Sequence, residues 1–163
     1  MLQKNKTTKL KAGNAKFAII ASRYNAEYVD PMLNSAIGVL KQAGAKDIEI
    51  IRVPGAFEIP VVASRLAKFS SVSAIICLGV ILRGETTHAA HIGEAVTRGL
   101  MQIQLDRGIP VIHEVLLLEN KQQAEVRCQG RKHNRGTEAA QTALEMAALI
   151  KHVENLQDLD VPF

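Results

Sequence analysis

The chain contains three short, largely apolar runs and one segment, Asp47–Val53, that alternates before it becomes apolar; longer stretches with helical spacing separate them. The runs and this segment have the length of buried strands and are bounded by turn residues. They predict four strands, over Lys16–Ser22, Asp47–Val53, Ala74–Val80 and Val111–Leu118. The remaining stretches carry apolar residues three or four positions apart, which is typical of helices with one buried face.

The helical spacing occurs after each predicted strand. Helices are expected from Asp30 or a few residues earlier to Ala43, over Val61–Phe69, from about His88 to the break at Gly108, over about Lys121–Cys128, and over about Thr137–Val153. Asp30-Pro31 resembles a helix cap followed by a first-turn proline. Four strand–helix alternations predict an α/β fold: a three-layer sandwich with a flavodoxin-like four-stranded parallel sheet and helices on both faces.

The chain has 163 residues, which fits one domain, expected over residues 16–163. Residues 1–15 are polar and rich in Lys, and they are expected to form a flexible arm. The net charge of +4 suits small anionic ligands, whereas 4% aromatic residues argue against a nucleic-acid surface. Cys77 and Cys128 indicate reduced thiols in a cytoplasmic protein, and no apolar run has the length of a membrane span.

One stretch combines a strand end with a helix start and several reactive groups. The apolar run from Cys77 leads into Arg83-Gly-Glu-Thr-Thr-His88, and a helical pattern follows. A helix start attracts phosphate, and Gly84 lets a ligand approach the backbone. The hydroxyl of Thr86 can bind an anion, and His88 can exchange protons near neutral pH. The stretch therefore predicts an anion site beside a proton-transfer group.

In a parallel sheet the carboxyl ends of the strands share one edge, where ligands bind. The segments expected there are Arg23–Asn25, Pro54–Glu58, Leu82–His88 and the region around His113 and Glu114. Tyr24 either packs in the core or stacks on a flat heterocyclic ligand.

Other interpretations of these residues remain open. His88 can be an exposed helix-start histidine, and His88, His91 and Glu94 have a spacing that a metal site can use. The basic run with Arg127 and Arg135 forms either a solvated face or a phosphate site. Composition and spacing do not name a substrate.

Four blocks of residues resemble the 6,7-dimethyl-8-ribityllumazine synthase family, in the order that the family has them. They are Arg23–Asn25, Val53–Pro60, Leu78–His88, and Glu125–Cys128 with Asn134–Gly136 and Glu138–Ala140. The resemblance implies the penultimate step of riboflavin biosynthesis, in which 5-amino-6-(D-ribitylamino)uracil condenses with 3,4-dihydroxy-2-butanone 4-phosphate. It implies imine formation, phosphate elimination, ring closure and loss of water, with no cofactor and no metal.

The resemblance also implies roles for single residues. His88 is the general acid/base, and Tyr24 replaces an aromatic residue that stacks on the uracil ring. The implied pocket residues are Ala56, Phe57, Glu58, Val80, Ile81, Leu82 and His113; the implied phosphate-binding residues are Glu85, Thr86 and Arg127, with Arg135 where the family usually has Lys. Glu85 and His113 depart from the family, which often has a small residue and Phe there.

The family builds its active site between neighbouring subunits of a homopentamer, so the resemblance implies that Arg127 and His113 face Tyr24 and His88 of an adjacent chain. Pentamers of many members assemble into a hollow icosahedral shell of sixty subunits, which can package riboflavin synthase. A flavodoxin-like module that only binds a phosphorylated ligand, and a shell protein with a degraded site, remain as alternatives.

Overall fold

The computed structural model describes residues 10–130 and 133–157. A four-stranded parallel sheet forms the middle layer, in the order β2-β1-β3-β4, which confirms the predicted fold class. The strands are β1 (Lys16–Ser22), β2 (Asp47–Val53), β3 (Ala74–Leu82) and β4 (Val111–Leu118).

Helices cover both faces of the sheet. They are α1 (Ala26–Gln42), α2 (Ile59–Phe69), α3 (His88–Arg107), α4 (Lys121–Ala124) and α5 (Arg135–Gln157). A 3₁₀ turn (Ala56–Glu58) precedes α2, and a π turn (Glu125–Gln129) follows α4. None of the helices in the described part of the chain is both long and apolar enough to cross a membrane.

Successive side chains of a strand point to opposite faces of the sheet, so they enter two separate apolar layers. Phe17, Ile19 and Ala21 of β1 pack with α1 and α5, whereas Ile20 packs with α2 and α3. The residues that carry chemistry follow the carboxyl ends of these buried strands, so the core fixes their positions.

Helix α1 begins earlier than its proline suggests. Asn25 has a left-handed φ of 57° and the helix starts at Ala26, so Pro31 lies inside it. Proline removes the N–H that would bond the carbonyl four residues back, here that of Glu27. The side-chain amide of Gln129 donates to this carbonyl instead, at 2.9 Å. The bond satisfies the freed carbonyl and ties the π turn to α1.

Residues 10–15, which belong to the segment expected to be a flexible arm, pack against the domain. Ala12 is buried in the core, and its N–H donates to the carbonyl of Ala43 at 2.8 Å. Residues 1–9 of the expected arm lie outside the described residues.

Candidate functional site

A cleft of about 950 Å³ opens at the carboxyl ends of β1, β2 and β3. Nine residues predicted to contact substrate line it: Tyr24, Ala56, Phe57, Glu58, Val80, Ile81, Leu82, Thr86 and His88. The structure therefore brings three of the four expected strand-end segments together. Its other lining residues include Asn25, Gly55, Gly84 and His91.

One backbone and one side-chain hydrogen bond join the strand ends around Tyr24. The N–H of Tyr24 donates to the carbonyl of Pro54 at 2.9 Å, which links the ends of β1 and β2. The side-chain amide of Asn25 donates to the carbonyl of Val80 at 2.7 Å, which links this corner to β3. The left-handed backbone of Asn25, a conformation that asparagine tolerates, turns the chain into α1.

The ring of Tyr24 lies in the open cleft and is not part of the core. Its exposed fraction is 69%, which excludes the core-packing interpretation. One edge of the ring rests on Gly55, where an added Cβ would lie 2.8 Å from Tyr24 Cδ2. The N–H of Gly55 donates to Glu58 Oε2 at 2.9 Å, which holds this carboxylate beside the ring. Tyr24, Gly55 and Glu58 thus form one wall with a flat face.

Arg52 supports this wall from behind. Its Nη1 donates to Asp30 Oδ1 at 2.7 Å and its Nη2 to the carbonyl of Ser22 at 2.9 Å. The guanidinium therefore joins the last residue of β1 to α1, on either side of the corner that carries Tyr24.

Gly55→Ala is expected to raise the KM for the ring-bearing substrate that the resemblance implies. Gly55 has an extended backbone that alanine adopts without strain, so the methyl group must displace the Tyr24 ring and disturb the Glu58 contact. We expect a KM increase of roughly tenfold, equivalent to about 1.4 kcal/mol of binding free energy, with little loss of thermal stability. Steady-state kinetics checks this. An unchanged KM would show that the Tyr24 face does not contact substrate.

The turn between β3 and α3 and the first residue of α3 contribute to the cleft. Gly84, Thr86 and His88 line the cleft, whereas Glu85 is exposed and does not line it. The N–H of His88 donates to Thr86 Oγ1 in a long bond of 3.4 Å. The side chain of Glu85, which the resemblance placed at the phosphate turn, therefore leaves the turn's backbone accessible to an anion.

The suggested metal ligands do not converge. His88 and His91 line the cleft, but the carboxylate of Glu94 pairs with Arg98 one turn further along α3. Within residues 10–130 and 133–157, no three side chains of the His, Cys, Asp and Glu types form a group that could hold a metal ion.

The expectation that His113 lies at the carboxyl edge of the sheet is wrong. It is the third residue of β4 and pairs with Cys77, whereas the strand ends at Leu118. Its side chain faces α3, where Nε2 lies 2.8 Å from Thr97 Oγ1. Burial lowers the pKa of His113 below its usual value, and an N–H bond from Val115 to Nδ1 favours the tautomer with the proton on Nε2.

A second cleft of about 540 Å³ contains the two predicted arginines, Arg127 and Arg135. It shares no lining residue with the first cleft; its other lining residues are Asn120, Gln122, Gln123, Val126, His133 and Glu138. Arg135 Nη1 donates to Glu138 Oε2 at 2.5 Å, so this cleft combines two cations with one paired carboxylate. Such a charge balance suits an anionic ligand.

Buried polar contacts hold the π turn that carries Arg127. The side chain of Asn134 donates to the carbonyl of Cys128 at 2.6 Å and accepts from the N–H of Gly136 at 2.9 Å. Together with the bond from Gln129 to α1, these contacts fix the turn between α4 and α5. These contacts therefore hold the backbone that carries Arg127 in place.

Glu114, which was expected with His113 at the carboxyl edge of the sheet, is the fourth residue of β4 and lies next to the second cleft. Neighbouring residues of a strand face opposite sides of the sheet, and Val115 faces α3. The side chain of Glu114 therefore lies on the α5 side of β4. Burial raises the pKa of Glu114 to about 7; Arg135 and Arg127 oppose this rise, and Glu138 adds to it. The residues next to Glu114 in the sequence do not indicate that Arg127, Arg135 and Glu138 lie near it in the fold.

Glu114→Gln is expected to stabilise the fold at neutral and higher pH. The native pKa of about 7 exceeds the ordinary value of 4.5, so the native state holds a proton that the unfolded chain releases. The free energy of unfolding of the wild type should therefore fall relative to that of the variant as pH rises from 4.5 to about 7. Above that range the difference between the two free energies should stay constant. Denaturant unfolding at pH 5 and pH 8 measures this. An equal difference at both pH values would contradict it.

The sequence of the chain is similar to those of known proteins. The family model described as 6,7-dimethyl-8-ribityllumazine synthase matches residues 14–151. The chain is 43% identical over 142 residues to a protein of that name from Stenotrophomonas maltophilia (strain R551-3), covering 86% of this chain and 92% of that protein.

Two further relatives bear the same name. A protein from Xanthomonas oryzae pv. oryzae (strain PXO99A) is 43% identical over 144 residues, and one from Xylella fastidiosa (strain 9a5c) is 40% identical over 144 residues. Each alignment covers 87% of this chain and 94% of the relative. The chain belongs to the 6,7-dimethyl-8-ribityllumazine synthase family.

Proposed function

We propose that the chain is a transferase of riboflavin biosynthesis, which condenses 5-amino-6-(D-ribitylamino)uracil with 3,4-dihydroxy-2-butanone 4-phosphate to 6,7-dimethyl-8-ribityllumazine. Family membership supports the reaction. The observation that carries the assignment is one cleft lined by nine residues predicted to contact substrate. Incubation with both substrates should give the bicyclic product and one phosphate for each product formed. Product absorbance without phosphate release, or no product, would contradict the proposal.

The ring-bearing substrate lies against the wall formed by Tyr24, Gly55 and Glu58. The exposed Tyr24 ring offers a flat face for stacking on the uracil. Val80, Ile81 and Leu82 at the end of β3 provide an apolar surface and backbone groups for the pyrimidine edge. Ala56 and Phe57 on the 3₁₀ turn line the ribityl side of the pocket.

The phosphate of the second substrate binds at the turn before α3. Gly84 and Thr86 line the cleft where the N-terminal end of α3 presents N–H groups and the positive end of its dipole. His88 follows directly and transfers protons as the imine forms and the phosphate leaves. The close approach of the two substrates supplies a large part of the rate.

Arg127 completes the phosphate site from a neighbouring subunit. The two clefts share no lining residue in one chain, so one chain does not place Arg127 and Arg135 among the residues around His88. A ring in which the second cleft of each subunit faces the first cleft of the next would unite them. His113 faces α3 and does not line the second cleft, so this arrangement does not bring its side chain to the substrate.

The assembly is a homopentamer. Helices α2 and α3 leave Phe69, Met101 and Leu105 more than half exposed, which favours a covered surface in the functional state. Whether pentamers close into a sixty-subunit shell that packages riboflavin synthase is decided by sedimentation velocity, since the two assemblies differ greatly in mass. The two described cysteines are buried free thiols, which suits a reducing cytoplasm.

A further inference from the structure

A second imidazole faces the cleft that contains His88. His91 lies one turn further along α3. The cleft-lining positions of this helix fall on one side of it: His88, Ala89, His91, Ile92 and Ala95. The side chain of His91 is exposed. Within residues 10–130 and 133–157 its imidazole makes no hydrogen bond, unlike that of His113, which is bonded to Thr97.

The other titratable groups that line the cleft have different surroundings. Glu58 already accepts the N–H of Gly55, and Tyr24 belongs to the same wall. On α3 itself, Glu94 and Arg98 pair with each other. His88 and His91 are therefore the two cleft groups whose side chains ordinarily exchange protons near neutral pH.

The proposed reaction needs two proton movements at one step. When the amine has added to the ketone, the carbinolamine nitrogen loses a proton and the hydroxyl gains one, so that a C=N bond forms and water leaves. A single imidazole that makes both transfers must reach the two atoms in turn, giving its proton to the hydroxyl and then taking one from the nitrogen. A pair can hold one neutral and one protonated imidazole, transfer both protons, and end with the same total number of protons.

We propose that His91 is a second proton-transfer group of the cleft, which works with His88 in forming the imine. The inference rests on the proposed function. It assigns the two imidazoles opposite protonation states at the start of the step. Loss of either one interrupts the same step, so their effects on rate overlap.

The test compares the wild type with His88→Asn, His91→Asn and the double variant. We expect His91→Asn to lower kcat by roughly 10- to 100-fold with little change in KM, at or below the usual range of about 10²–10⁴ for general acid–base catalysis. The double variant should be little slower than the slower single variant, because residues that act as a unit are not additive. The pH profile of kcat should lose one ionisation in His91→Asn.

His152→Asn is the matched control, because His152 is exposed on α5 and lines neither substrate cleft. An unchanged kcat in His91→Asn, or losses that multiply in the double variant, would overturn the inference. A wild-type protein that forms no lumazine would refute the proposed function, whereas an active wild type with an equally active His91→Asn would refute this inference alone.

Discussion

His88→Asn is expected to slow lumazine formation by about 10²–10⁴-fold, the range that general acid–base catalysis contributes. His88 lines the cleft at the start of α3, and Asn keeps a polar side chain of similar size but cannot carry the proton. The variant should bind both substrates with a nearly unchanged KM, because the ring wall and the phosphate turn remain. Steady-state kinetics over pH 6 to 9 measures the loss.

The exposure of His88 makes the kinetic result interpretable. An exposed residue contributes little to folding, so the variant should have the thermal stability of the wild type. A variant that is stable and as fast as the wild type would contradict the assignment of proton transfer to His88. A small loss at every pH would indicate that substrate proximity supplies nearly all of the rate.

Gly136→Ala is expected to destabilise the fold by more than about 4 kcal/mol, a value reached only when core packing or backbone contacts are broken. A Cβ at Gly136 would lie 1.9 Å from the carbonyl oxygen of Met32 and 2.7 Å from its Cα. These are backbone atoms of α1, so no side-chain movement relieves the overlap. Helix α5 would have to move away from α1 and expose the fully buried Ala139 and Ala140.

Denaturant unfolding at a fixed subunit concentration measures this effect, since assembly makes stability depend on concentration. Gly38→Ala is the matched control, because Gly38 is an exposed position of α1 with open space around it. That change should be neutral or stabilise by up to about 1 kcal/mol, the difference in helix propensity. Equal stability of both variants would contradict the close approach of α1 and α5.

Three strands could be predicted from sequence because they are largely apolar runs, and β2 could be predicted because it begins with alternating polar and apolar residues. The start of α1 was less certain, since Asp30-Pro31 has the local signature of a helix start. The structure begins the helix at Ala26 because Asn25 adopts a left-handed backbone and Gln129 satisfies the carbonyl that Pro31 leaves free. The last contact joins residues about a hundred positions apart, which local patterns do not reveal.

The first cleft was also predictable, since parallel strands bring their carboxyl ends to one edge. The position of His113 was misjudged because a polar residue within an apolar run was taken to mark the strand end, whereas it bonds to Thr97 across the β4–α3 contact. The structural role of Asn25, which bonds to Val80, was not predicted from the sequence. The i, i+3 spacing of His91 from His88 suggested a metal site or a surface position and gave no sign that His91 lines the cleft.

The claim that one site is built from two subunits has a direct test in mixed assemblies. Thr86→Asp places a carboxylate in the phosphate turn, and Arg127→Ala removes one of the two cations of the second cleft. Each variant alone should be nearly inactive. Both are co-expressed with different tags and purified by both tags in turn, so every assembly contains both kinds of subunit.

If the first cleft of one subunit meets the second cleft of its neighbour, about one quarter of the sites in a randomly mixed ring have two wild-type halves. We therefore predict that the mixed assemblies recover roughly a quarter of the wild-type rate of lumazine formation. If the mixed assemblies are no more active than the two variants measured separately, the site does not lie between subunits, and the joining of Arg127 to the His88 cleft is refuted.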